Sequence, residues 1–128
     1  MEKKPHILIL IAEDDKFLVK VYQTKLTKEG FEVAIANNGE EAIKLAREKT
    51  PDLIFCDLMM PIKDGFETLK ALKADPKLKK IKVIILSNLS QEEDKKRVLD
   101  MGAEEYVVKA NVSFSEVIKL AKKHLNLE

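Results

Sequence analysis

Leu53-Ile54-Phe55-Cys56-Asp57 decides the fold: four apolar residues run without a polar break into a carboxylate. A strand with one wet face alternates apolar and polar residues. An unbroken apolar run of this length fits a strand covered on both faces, as in a parallel sheet between helical layers. Thr50-Pro51 ends the segment before it, because proline disfavours helical geometry in the residue ahead of it. Gly65 to Ala74 follows, with Phe66, Leu69 and Leu72 at helical spacing, and Asp75-Pro76 closes it.

The same unit repeats in both directions. Toward the start, Ile7 to Ile11 reads as a first strand, followed by a helix over Asp14 to Glu29 with Leu18, Val21, Tyr22 and Leu26 inward. Gly30 stands where a left-handed helix stop is wanted. Phe31 to Ala36 is a second strand, and Asn37-Asn38-Gly39 is a turn in which Asn38 caps a helix bearing Ala42, Ile43, Leu45 and Ala46. Toward the end, Ile81 to Leu86 is a fourth strand. Ser90 and Glu93 have capping-box spacing, so a helix starts near Gln91 and stops at Gly102. Glu105 to Val108 is a fifth strand. Ser113 and Glu116 open a last helix, striped by Phe114, Val117, Ile118, Ala121 and Leu125. Five strand–helix units imply an α/β fold, a doubly wound parallel five-stranded sheet with helices on both faces. No linker divides the 128 residues, so the expectation is one domain spanning 1–128.

The charges nearly cancel: 23 Lys and Arg against 22 Asp and Glu, a net charge of +1. That balance gives no global attraction to nucleic acid or anionic membrane, and neither is expected as a partner. Cys56 is the only cysteine, which rules out an internal disulfide and suits a reducing cytoplasm. It reads as an inert buried thiol. His6 and His124 show no ligand-like spacing, and Lys77, Lys79, Lys80 and Lys82 read as solvated surface around a loop. No apolar run approaches the roughly 20 residues a membrane helix needs.

In open α/β sheets, ligands bind beyond the carboxyl ends of the strands. The first strand ends in Glu13-Asp14-Asp15, the third in Asp57, the fourth in Ser87 and the fifth in Lys109. Acids, a hydroxyl and an ammonium thus converge on one rim. Crowded carboxylates repel one another, and a hard divalent cation removes the conflict. Mg²⁺ prefers oxygen ligands and suits one or two carboxylates plus phosphate oxygens. A carboxylate can then act as nucleophile and form an acyl phosphate, with Lys109 and Ser87 supplying a compact cation and a donor to phosphoryl oxygens. Asp15 reads as a first-turn acid, and Asp64-Gly65 as turn chemistry opening the third helix.

Glu13-Asp14, the run Asp57-Leu58-Met59-Met60-Pro61-Ile62-Lys63-Asp64-Gly65, Ser87, and Gly102-Ala103-Glu104-Glu105-Tyr106-Val107-Val108-Lys109 resemble the signature blocks of response-regulator receiver domains, in order and at the right spacing over nearly the whole chain. The resemblance implies the flavodoxin-like (βα)5 fold with strand order 2-1-3-4-5. It implies that Asp57 accepts a phosphoryl group, that Asp14, Asp57 and the backbone carbonyl of Met59 hold Mg²⁺, and that Glu13 holds the metal through water. Lys109 is similar to the lysine that pairs with the phosphoryl group. Ser87 and Tyr106 are similar to a switch pair whose hydroxyl and ring move on phosphorylation, altering the helix 4–strand 5–helix 5 face. Met59 and Leu89 occupy the positions that tune phosphoryl lifetime. The implied donor is a sensor histidine kinase or a histidine phosphotransfer protein, and the implied output is contact with a protein target by a monomer or a phosphorylation-dependent dimer. Such a chain catalyses only its own phosphorylation and dephosphorylation and is not an enzyme in the ordinary sense.

Two residues depart from the family pattern. Ala110 follows Lys109 where proline with a cis bond is usual, so the loop either holds a costly non-proline cis bond or takes another path. Asn88 follows Ser87 where a small residue is usual, and narrows access to Asp57. Of the alternatives, a flavin-binding domain needs a Ser/Thr/Gly-rich phosphate loop after the first strand, where this chain has three acids. An aspartate-nucleophile phosphatase needs Asp-x-Asp after its first strand, which Glu13-Asp14-Asp15 does not match. A degenerate receiver that binds partners without phosphate runs against the intact acids and Lys109.

Overall fold

The computed structural model describes residues 6–89 and 91–127. Among them the order is β1 (Leu8–Ala12), α1 (Lys16–Lys28), β2 (Glu32–Ala36), α2 (Gly39–Lys49), β3 (Leu53–Cys56), α3 (Gly65–Ala74), β4 (Lys82–Ser87), α4 (Glu92–Asp100), β5 (Glu105–Val108), a short 3₁₀ turn (Lys109–Asn111) and α5 (Phe114–His124). The strands form one sheet in the order β2-β1-β3-β4-β5, with every pairing parallel. This is the flavodoxin-like arrangement, and strand order reverses between β1 and β3.

The apolar runs are needed because the sheet is covered twice. Leu10, Ile54, Cys56, Val83 and Ile85 face a core built with Ala42 and Ala46 of α2, Leu69 and Leu72 of α3 and Val98 of α4. The alternate residues Ile9, Ile11, Leu53, Phe55, Ile84 and Leu86 face Tyr22 and Leu26 of α1 and Val117 and Ala121 of α5. Each large side chain removed from water in this way contributes about 1.5–3 kcal/mol. Helix α4 is the weakest claimant, with Val98 its one buried residue. Arg97 adds a surface tie, its guanidinium lying 3.9 Å over the Phe66 ring of α3.

Several boundaries differ from the sequence reading. β1 and β4 sit one residue later than the apolar runs suggest, because Ala12 and Ser87 still pair with their neighbours. Helix α1 starts at Lys16. Asp15 is its N-cap, accepting from the amides of Phe17 and Leu18, so it is not a first-turn acid. Asn38 caps α2, and Asp64–Glu67 and Ser113–Glu116 form reciprocal capping boxes on α3 and α5. The box expected from Ser90 lies outside the described residues; Gln91 occupies the N-cap of α4. Gly30 and Gly102 both have positive φ, as their helix-stop reading requires. Thr50 ends α2 in the left-handed region (φ 45°), and so satisfies the proline rule without becoming extended.

Candidate functional site

The rim beyond the strand ends is built by backbone bonds that carry the sheet one step past its ladders. The Glu13 amide donates to Ala36 O and the Asp57 amide to Ala12 O, each at 3.0 Å. Both side chains are consequently buried among the strand tips. Lys109 leaves β5 at the same level, and its ammonium donates to Glu13 Oε1 at 2.5 Å and to Asp57 Oδ2 at 2.9 Å. Asp57 Oδ1 accepts the Met59 amide at 3.3 Å, and Glu13 Oε2 accepts the Asp15 amide at 3.1 Å. Asp14 is exposed on the rim, yet carboxylate oxygens of Glu13, Asp14 and Asp57 lie within 4.8 Å of one another.

The electrostatics follow from that crowding. Burial pushes the Glu13 carboxyl above its usual value. The bonds from Lys109 and Asp15 oppose the shift, and the neighbouring Asp57 charge reinforces it. Burial alone pulls the Lys109 ammonium down, but its two carboxylate partners outweigh that and hold it above the ordinary lysine value. Three acids face one ammonium, a net excess of about two negative charges that a single divalent cation cancels. The donors are all oxygens, which fits Mg²⁺ and argues against a thiolate-seeking metal.

Ser87 is fully buried at the tip of β4, with its Oγ accepting the Leu89 amide at 3.3 Å. The Tyr106 hydroxyl donates to the Leu89 carbonyl, so the ring is tucked against the β4–α4 loop. Met60 packs inward, while Met59 is 64% exposed on the rim. The thiol of Cys56 is fully buried and strongly raised by burial, which leaves it unreactive. No cis peptide occurs among the described residues. The chain after Lys109 takes the other path, a 3₁₀ turn through Ala110.

The scaffold residues were the ones the sequence reading missed. Gly65 reads as turn chemistry, but a Cβ there would lie 2.4 Å from the Asp57 carbonyl oxygen, so this position is reserved for close backbone approach. Ile62 has φ 70°, unusual for a β-branched residue, and is 71% exposed. His124, given no role, places Nε2 3.1 Å from Glu105 Oε1. Lys82 is not simply solvated: its ammonium caps the His124 carbonyl. A glycine in the right register is the one signal in the sequence that points to the Gly65 contact.

A family model described as the response regulator receiver domain matches residues 9–122. The chain belongs to the response-regulator receiver family. The receiver is 34% identical over 117 residues to the polar-differentiation response regulator DivK of Brucella anthropi, covering 91% of this chain and 94% of that one. It is 42% identical over 101 residues to the probable transcriptional regulator ycf29 of Pyropia yezoensis, covering 79% of this chain but only 46% of that protein. The receiver domain of Francisella response regulator 1452 superposes with a TM-score of 0.86 at 32% identity, covering 94% of this chain and 97% of that one. The receiver is thus a component of two-component signalling. None of its described helices is long and apolar enough to cross a membrane.

Proposed function

We propose that the 128 residues form one receiver unit that takes a phosphoryl group onto Asp57 from a phosphohistidine on a sensor histidine kinase or phosphotransfer protein, in the cytoplasm. The observation that carries this reading is the Lys109 ammonium bridging Glu13 and Asp57, with Asp14 completing an all-oxygen cluster. Asp14, Asp57 and the Met59 carbonyl would hold Mg²⁺, and Glu13 would hold it through water. Bound Mg²⁺ would supply charge neutralisation for the incoming phosphoryl oxygens. A carboxylate oxygen of Asp57 attacks phosphorus, the P–N bond to the donor imidazole breaks, and the imidazole leaves with the electron pair and takes up a proton. Lys109 shifts one of its two bonds to a phosphoryl oxygen, and Ser87 donates to another.

The switch follows as a population shift, because these contacts exist in only one state. Ser87 hydrogen-bonds the Leu89 amide and Tyr106 the Leu89 carbonyl, so movement of the hydroxyl toward the phosphate pulls on the β4–α4 loop. Helix α4, with one buried residue, is the α-helix least able to resist. The α4–β5–α5 face would then engage a protein target, as a monomer or a phosphorylation-dependent dimer. The protein turns over no free substrate and is in that sense not an enzyme.

Incubation with Mg²⁺ and acetyl phosphate, followed by intact-mass measurement, tests the reading. One hydroxylamine-labile phosphoryl group is expected on the wild type and none on Asp57→Asn. Equal labelling of both would remove Asp57 from this role.

A further inference from the structure

The loop from Asp57 to Asp64 has to keep three things in place at once: the Asp57 carboxylate, the Met59 amide that donates to its Oδ1 at 3.3 Å, and a turn with unusual geometry. The Lys63 amide donates to the Pro61 carbonyl at 2.8 Å, closing a γ-turn around Ile62 at φ 70°. That sense of γ-turn is rare and strained, and a β-branched residue tolerates it poorly. Such a conformation persists only where the surroundings over-determine it. At the far end of the loop, the Gly65 amide donates to Leu58 O at 2.9 Å. The remaining tie comes from another element: the Gly39 amide, at the start of α2, donates to Lys63 O at 3.2 Å.

We propose that Gly39 is a positioning residue for the phosphoacceptor loop, and that its missing side chain is what allows α2 to brace Lys63 and so keep Asp57 and the Met59 carbonyl in register. The inference rests on the phosphoacceptor reading above. A Cβ at Gly39 would lie 2.2 Å from Thr68 Oγ1, 2.3 Å from Lys63 O and 2.8 Å from Lys63 Cβ. Neither oxygen can step aside cheaply. Lys63 O belongs to the backbone of the strained turn. Thr68 is buried, and its hydroxyl donates to Asp64 O at 2.7 Å, on the residue that caps α3. Gly39 is not needed for a left-handed turn, since positive φ among the described glycines is confined to Gly30 and Gly102. The requirement is space against the loop, so an added methyl pushes on the loop directly.

Gly30 supplies the matched control. Its φ of 96° strains any side chain, yet a Cβ there meets nothing within 4 Å. Gly30→Ala and Gly39→Ala both lower the unfolding midpoint, but only the second presses on the loop. Mg²⁺ affinity by calorimetry, and the rate of acyl-phosphate formation at subsaturating Mg²⁺, are compared for the wild type and both variants. Gly39→Ala is expected to lose at least tenfold in both, with Gly30→Ala within twofold of wild type. Gly39→Ala within twofold of wild type, or an equal loss in Gly30→Ala, overturns the inference while leaving the phosphoacceptor reading standing. A wild type that neither binds Mg²⁺ nor takes a phosphoryl group overturns both. Should Gly39→Ala fail to fold, the amide resonances of the wild type decide. Addition of Mg²⁺ is expected to shift Gly39 and Lys63 and leave Gly30 in place, and an unmoved Gly39 overturns the proposal.

Discussion

Replacing Lys109 with methionine keeps the stem and removes the charge, which isolates the ammonium that joins Glu13 to Asp57. At 2.9 Å and an effective dielectric constant of 20, each such contact has a Coulomb energy of about 6 kcal/mol, most of it offset by the cost of taking the charges out of water. Removing one partner of a buried pair costs about 3–5 kcal/mol, because the stranded charge remains buried. The Lys109 side chain is 10% exposed, so a loss near about 3 kcal/mol is expected at pH 8 in the presence of a chelator. The loss should depend on pH with a defined sign. Glu13 already has a folded-state value raised by burial above its usual 4.5, so the folded protein binds the proton more readily than the unfolded chain does. Its contribution to stability is present below 4.5 and falls as pH rises through the raised value. Without Lys109 that window extends further upward, so Lys109→Met regains stability at pH 5 relative to pH 8. Mg²⁺ restores a further part, about 2.7 kcal/mol at a hundred times its dissociation constant. Urea denaturation at both pH values, with chelator and with Mg²⁺, measures each component. A variant as stable as the wild type at pH 8 without metal would show that Lys109 does not hold the two acids together.

Ile62→Asn places a residue tolerant of positive φ at the centre of the γ-turn and is expected to raise stability by about 1 kcal/mol, read by urea denaturation; an unchanged or lower midpoint refutes the assigned strain. Met59→Asn and Leu89→Glu supply groups able to orient water where the receiver has two apolar side chains. Each is expected to shorten the acyl-phosphate lifetime by about tenfold, below the hundredfold of a well-placed general base, and a longer lifetime in either variant contradicts this account. The native Cys56 thiol, buried and raised, should not react with a thiol reagent at pH 8 until the protein unfolds; prompt stoichiometric reaction would show that β3 opens locally.

Much of this receiver is legible along the chain because the signals are local. Leu53-Ile54-Phe55-Cys56 announces a doubly covered strand by lacking alternation, and Asp57 must stand at its carboxyl end because the run stops there. Capping pairs three residues apart and helix-stop glycines are equally local, so Ser113–Glu116, Gly30 and Gly102 behave as read. The acids after β1, Asp57 and Lys109 were brought to one rim by strand direction alone, since parallel strands put all their carboxyl ends on the same side.

What the chain could not announce is every contact made by residues far apart in sequence and close only after packing. Lys109 and Glu13 lie 96 residues apart, and the bond between them exists only because β5 and β1 stand in one sheet. Gly39 and Gly65 read as turn residues, and the reason for each is an oxygen of another segment where a side chain would have to go. Local pattern sets which elements form and what their ends carry. Excluded volume between distant segments sets how closely they approach, and no periodicity encodes that distance.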